Sequence, residues 1–191
     1  MLLCIMHKKL QIYYFIDEFN YSHLINLDKN ISLIWRNKNK ETLLKTLIKL
    51  RNFCYKNGRK LYINNDAYLA HKIGADGLYI SSNNKDLILT SGKLKKNFKI
   101  LGSAHNIKEI KIKEIQKVTE IFLSPLFKSK KNKKLEIFRY LNLRKTTNIK
   151  DIALGGINEK NFKRLKLINP AGFAGISYFD KKKAPNKLGA F

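Results

Sequence analysis

The sequence predicts an α/β domain in which eight parallel strands, most of them followed by a helix, close into a (β/α)8 barrel. Three observations point there. Short apolar, strand-like runs alternate with helix-like stretches from residue 10 to residue 179, an order that favours a closed barrel over an open doubly wound sheet. The stretch from Asp151 to Phe179 reads as strand, glycine turn, helix, strand in the smallest space that order allows. The chain has 191 residues, of which 44% are apolar, so it makes one domain with a substantial core, slightly short for a full barrel. Residues 1–9 form an N-terminal extension, 10–179 the barrel domain and 180–191 a basic tail.

The elements follow in order. LQIYYFID, residues 10–17, is rich in β-branched and aromatic residues and makes the first strand. NYSHLINL allows at most a short helix. ISLIWRNK is the second strand, with Ile34, Arg36 and Lys38 on one face and Leu33, Trp35 and Asn37 on the other. Trp35 is expected to pack beneath the outer helices. Residues 41–57 place Leu43, Leu47, Leu50 and Cys54 at helical spacing, with Leu44 and Ile48 alongside, and Gly58 stops them. LYINN is the third strand; Asp66 leads into a short helix ending at Gly74; GLYIS is the fourth strand. NNKDLILTSGKLKKNF holds one irregular turn of helix. KILGSA is the fifth strand, and NIKEIKIKEIQKV after it offers Ile107, Ile110, Ile115 and Val118 as a buried face. EIFLSPLF is the sixth strand, followed by a lysine-rich loop, 128–134, and a helix through Ile137, Tyr140 and Leu141. Ile152 to Leu154 is the seventh strand. Asn158 then caps a helix that buries Phe162, Leu165 and Ile168, and Gly172 to Ser177 is the eighth strand. The tail, KKKAPNKLGAF, has no periodic apolar face, so the barrel lacks a full final helix, and the exposed surface leaves room for a homo-oligomer.

Composition narrows the function classes. No apolar run is long enough to span a membrane, and MLLCIMHKK is too brief for a signal peptide, so the expected location is the cytoplasm. Cys4 and Cys54 stand apart without a CxxC or Cys/His cluster, which supports neither a disulfide framework nor a zinc site. The net charge of +25 comes mostly from lysine spread along the chain. The densest cluster, Lys128 to Lys134, has no interleaved aromatic residues for base stacking. Nonspecific nucleic-acid binding at low salt is therefore expected, and a dedicated nucleic-acid role is the weaker reading.

Two constellations carry chemistry. In barrels of this kind the loops after the seventh and eighth strands commonly hold phosphate on backbone N–H groups, and Gly155, Gly156, Ile176 and Ser177 stand at those positions. Two glycines also simply turn a chain, and both readings stand. Arg36 and Lys38, two residues apart at a strand's carboxyl end, suit pyrophosphate, although in so lysine-rich a chain a solvated strand end has the same pattern.

With these segments placed, the sequence resembles the thiamine phosphate synthase and TenI family, TIM barrels of thiamine biosynthesis. The pieces that carry the resemblance are YYFID, WRNK, INNDAYLAHKIGADGLYIS, ILGSAH, SPLF, IALGGI and GISYF, in the family's order and spacing. The resemblance implies condensation of a pyrimidine methyl pyrophosphate with a thiazole phosphate. Loss of pyrophosphate leaves a stabilised carbocation that the thiazole nitrogen captures, with Mg2+ and basic residues stabilising the leaving group. The small partners are therefore phosphorylated thiamine precursors. By the same resemblance Arg36 and Lys38 hold pyrophosphate, Asn64 and Ser103 contact the pyrimidine and Ser129 the thiazole. Gly155, Gly156, Ile176 and Ser177 hold the thiazole phosphate.

The family's magnesium site uses two aspartates, and here Asn65 and Asn84 align with them, a degenerate pair; an alternative register puts Asp66 in the metal position. The family's strand-two glutamine is Ile34. The lysine expected after the sixth strand aligns with Asn132, with Lys130, Lys131 and Lys133 close enough to substitute. These departures keep further readings open. One is a synthase impaired by loss of its metal ligands. Another is a TenI-like thiazole tautomerase needing no metal cofactor, in which His105 moves a proton, although His105 also reads as a plain helix cap. A third is a noncatalytic phosphate-ligand binder of the same fold. His7, His23 and His71 read as surface or packing residues.

Overall fold

A strand whose two faces are both apolar must be covered on both sides, and most strand segments of this chain are of that kind. In the computed structural model, which describes residues 10–36, 43–90, 95–127 and 137–180, that cover comes from barrel closure on one face and helices on the other. The strands are β1 (Gln11–Ile16), β2 (Ile31–Trp35), β3 (Leu61–Asn64), β4 (Gly77–Ile80), β5 (Lys99–Ala104), β6 (Glu120–Leu123), β7 (Lys150–Leu154) and β8 (Gly172–Gly175). All neighbours are parallel and lie in sequence order, and β8 closes on β1 with Gln11 opposite Gly172 and Tyr14 opposite Gly175.

Strand alternation divides the side chains into two cores. Tyr13, Phe15, Ile34, Tyr62, Tyr79, Leu101, Phe122, Ile152 and Ala174 fill the barrel, whereas Tyr14, Leu33, Trp35, Ile63, Ile80 and Leu123 pack outward with the helices. Trp35 lies in the outer layer, as its position on β2 predicts. Toward the amino ends of the strands the interior turns polar: buried Glu120 accepts hydrogen bonds from the Tyr13 hydroxyl and, at 2.7 Å, from Lys99. Burial and the neighbouring Tyr62 and Glu120 push the Tyr13 phenol far above its ordinary range, so it stays a proton donor.

The helices are α1 (Tyr21–Ile25), α2 (Leu43–Lys56), α3 (Ala67–Lys72), α4 (Ile107–Ile115), α5 (Ile137–Arg144), α6 (Glu159–Phe162), α7 (Leu165–Ile168) and α8 (Ser177–Asp180). Between β4 and β5 the described residues form one 3-10 turn, Ile88–Thr90. The helix expected after Asn158 is in two pieces, capped by a reciprocal Asn158–Asn161 pair and broken at 163–164, and one turn of the final helix, Ser177–Asp180, lies within the described residues. The tail beyond 180 lies outside the described residues, as does the extension 1–9. No helix among the described residues is long and apolar enough to cross a membrane.

Two buried cations hold connections that the short elements cannot secure themselves. Arg59, 3% exposed, follows α2 and donates to the carbonyls of Leu24, Leu27, Asp28 and Ile31, knitting the end of one-turn α1 to the start of β2. The second cation corrects the sequence reading of α4. Ile110 and Val118 are buried as expected, but Ile107 and Ile115 are 51% and 63% exposed, and Lys113 takes the inward place. Space decides this. Gly102 on β5 presents no Cβ where the Lys113 stem passes; a methyl there would come within 3.0 Å of its Cδ.

Burial lowers the Lys113 pKa from 10.5 to about 8. An unfolded chain therefore binds the Lys113 proton between those values while the folded chain has released it, so stability rises with pH across that window. The full effect is on the order of 3 kcal/mol. Urea denaturation at about pH 8 and about pH 10 should show Lys113→Met lacking this rise relative to wild type; equal slopes would refute the buried charge.

Candidate active site

Residues that face the barrel interior emerge, two positions further on, at the mouth formed by the carboxyl ends of the strands. Phe15 leads to Asp17, Ile34 to Arg36, Tyr62 to Asn64, Tyr79 to Ser81 and Leu101 to Ser103. The sequence-predicted residues at 36, 64 and 103 are thus brought to one mouth from three strands.

Arg36 follows β2 directly, its amide donating to Ile16 at 2.9 Å. Its guanidinium grips Asp17 at the end of β1 through Nε–Oδ1 at 3.2 Å and Nη2–Oδ2 at 2.6 Å, and it lies 5.2 Å from the centre of the Phe15 ring. A bidentate carboxylate and an aromatic face together fix the fork's plane. Asn64 closes β3, and its Oδ1 is buried with no hydrogen-bond donor among the described residues. Ser103 on β5 is 5% exposed and pairs with the Tyr79 hydroxyl, whose pKa burial pushes up to about 12 against that bond and the pull of Arg36. Phe15, Tyr79 and Phe122 meet edge to face with centroids 5.2, 5.3 and 6.0 Å apart, making an aromatic floor under the mouth. Sequence reasoning missed this floor and Asp17's grip on Arg36. The signal was available, since each floor residue stands two positions before a polar strand end.

The phosphate-loop residues also come together. β7 and β8 are paired with Leu154 opposite Ala174, so Gly155 and Gly156 run beside Gly175 and Ile176. Gly155 and Gly156 have φ of +93° and +68°, and a Cβ at Gly155 would lie 2.9 Å from the Cα of Pro125. Only glycine fits there, because the loop after β6 is laid against the turn, with Leu126 donating to Leu154 and Phe127 to Gly155. No acceptor among the described residues takes the amide hydrogens of Gly155, Gly156 or Ile176. A cavity of about 510 Å³, lined in part by Phe15, Asp17, His23 and Ile176, opens between the end of β1, α1 and the residue after β8. Ser177 begins α8. Lys38, Ser129, Lys130 and Lys131 lie outside the described residues.

His105, 45% exposed on its side chain, follows β5, and both its amide and its Nδ1 bond Glu109 Oε2, at 2.7 and 3.0 Å. The cap of α4 is Asn106, which accepts the Glu109 amide at 3.0 Å, so His105 is not the helix cap. His23 contacts the Tyr14 hydroxyl and His71 stacks on Phe98, both packing roles; Cys54 is buried, its thiol pushed up to about 12 mainly by desolvation.

The side chains aligned with the family's metal ligands are engaged elsewhere. Asn65 Oδ1 accepts the Ser81 amide and its Nδ2 donates to the Ser81 hydroxyl, while Asn84 Oδ1 accepts the Asp86 amide. Asp66, the alternative ligand, is the N-cap of α3, its Oδ1 taking the Leu69 amide at 2.8 Å. Magnesium needs charged or uncommitted oxygens; Asn65 and Asn84 offer neutral, engaged amides and do not fit it, while Asp66 keeps its charge but spends Oδ1 on the α3 cap. Among the described residues no three His, Cys, Asp or Glu side chains cluster as a metal site.

Comparison with known proteins adds independent findings. A family model described as thiamine monophosphate synthase matches residues 27–179. A thiamine-phosphate synthase of Pelagibacter ubique is 34% identical over 173 residues, which covers 85% of this chain and 82% of that protein. One from Staphylococcus saprophyticus is 28% identical over 150 residues, 75% of this chain and 68% of that one. Among solved structures, a thiamine phosphate pyrophosphorylase from Pyrococcus furiosus superposes with a TM-score of 0.75 at 15% identity, over 93% of this chain and 91% of that one, which speaks to the fold.

Proposed function

The chain belongs to the thiamine monophosphate synthase family, and we propose that it condenses hydroxymethylpyrimidine pyrophosphate with thiazole phosphate, releasing pyrophosphate. The carbon–oxygen bond breaks with its electron pair going to pyrophosphate. The pyrimidine methylene is left as a carbocation, which the thiazole nitrogen captures with its own lone pair. No proton is transferred in that exchange, so the protein's task is to place charge and exclude water.

Arg36 meets the leaving pyrophosphate as its negative charge grows, with Asp17 and Phe15 keeping the guanidinium oriented. The turn amides of Gly155, Gly156, Ile176 and Ser177 hold the thiazole phosphate. Ser103, set by Tyr79, and Asn64 face the pyrimidine. By family resemblance alone, Lys38 is assigned to the pyrophosphate, Ser129 to the thiazole, and Lys130 and Lys131 to the place of the lysine expected after β6.

The observation that carries the reading is Asn64. A buried acceptor without a donor costs about 1–3 kcal/mol, and an aminopyrimidine brings an N–H to satisfy it. The test is a turnover assay with both precursors, read as thiamine phosphate. Wild type should form product, and Asn64→Leu should raise KM for the pyrimidine pyrophosphate by about tenfold. Absence of product, with thiazole phosphate still bound, would sink the synthase reading. The tautomerase and binding-only alternatives draw no better support: His105 is oriented by Glu109, but that contact does not single out a tautomerase.

A further inference from the structure

The loop after β4, residues 81–86, is where the family pattern asks for a metal-binding carboxylate, and here hydrogen bonding fills the place. A backbone amide can only donate, so the Ser81 amide fixes Asn65 with its oxygen toward residue 81, at 2.9 Å. Its Nδ2 then donates to the Ser81 hydroxyl at 2.6 Å, and that hydroxyl donates to Asn83 Oδ1 at 2.7 Å. The side of Asn65 where a carboxylate would offer a lone pair therefore carries hydrogens.

The one carboxylate of this loop, Asp86, takes the Ile88 amide on Oδ1 at 2.8 Å, and the main-chain oxygens, the other ligands a hard cation takes, are turned inward. The Asn84 carbonyl accepts from Lys113 Nζ at 2.8 Å and from Gln116 Nε2 at 3.1 Å, and the Asp86 carbonyl accepts from Gln116 at 2.9 Å. Lys113 and Gln116 are both fully buried, joined by a 2.8 Å bond. Among the described residues no carboxylate stands within ion-pair reach of Nζ. Glu109, one turn earlier on α4, acts on it electrostatically without forming an ion pair. The ammonium is a fixed charge against the same residue that would have to bind a dication, and like charges so close in partly buried surroundings oppose one another.

We infer that this protein holds no divalent cation at its β4 loop, where Lys113, locked by Gln116 against the carbonyl of Asn84, is the resident cation instead. The inference deepens the synthase reading and rests on it for its bearing on catalysis. Its test uses no turnover, so the two fail separately.

The experiment is a Mn2+ titration of the purified full chain, without substrate, read by the electron paramagnetic resonance signal of free Mn2+. Wild type should show no site tighter than about 1 mM. Asn65→Asp/Asn84→Asp/Lys113→Met should bind at least about tenfold tighter, and Asn65→Asp/Asn84→Asp with Lys113 retained should gain less. Micromolar binding by wild type that Asn84→Ala abolishes would overturn the inference. So would a folded triple variant that gains nothing, or a double variant that gains as much as the triple. If the triple variant fails to fold, the wild-type and double-variant titrations still decide.

Discussion

Arg36→Ala is expected to lower kcat/KM for thiamine phosphate formation by about 10²–10³-fold, the usual cost of removing one fixed donor from a site where charge develops. Arg36 is 31% exposed on its side chain and reaches its partners from the end of a strand, so the melting temperature should move by no more than about 2 °C. The loss should fall mainly on kcat, because the guanidinium matters most when pyrophosphate carries its full charge. Asp17→Asn provides the internal comparison. It keeps the side chain's shape but removes the carboxylate that grips both Nε and Nη2, so a smaller defect is expected, on the order of tenfold. Unchanged kinetics in Arg36→Ala would remove Arg36 from the site.

Arg59→Leu is expected to cost about 3–5 kcal/mol of stability and lower the melting temperature by roughly 10 °C, with no effect on chemistry in whatever folded protein remains. Four carbonyls accept from this one side chain; those of Leu24 and Asp28 also accept a backbone amide, from Leu27 and Ile31, so the Leu27 and Ile31 carbonyls lean on it most. α1 is a single turn, and in Arg59→Leu the Leu27 carbonyl just past it loses the donor that the guanidinium supplies. Desolvation lowers the Arg59 pKa, yet the guanidinium stays charged and is stabilised by the carbonyl dipoles around it. Thermal denaturation of Arg59→Leu beside Arg59→Lys would check this: Lys, a point charge without the fork, should recover only part of the loss. A melting temperature within about 2 °C of wild type would show that the carbonyls find other donors.

The order of elements and the strand faces were legible in the chain itself. Ile34 and Arg36 share a face because side chains alternate along any strand, and Asn158 caps α6 because its short amide reaches the Asn161 amide in any such context. Gly155 and Gly156 marked a turn by composition. Local rules decide all of these, so a single sequence suffices.

Long-range packing decided the rest. Isoleucines at helical spacing argued for a buried α4 stripe through 107, 110 and 115, but Gly102, Asn84 and Gln116, brought from three parts of the chain, made the inward place fit a lysine. The neutral character of the would-be metal pair was visible in the letters Asn65 and Asn84. That both amides are spent on the loop's own backbone, and that Lys113 points its charge at the same loop, emerges only when β4 and α4 are packed together. The residue types at the mouth were thus set by sequence, while their partners depended on groups distant along the chain meeting in a low-dielectric interior where each must be satisfied.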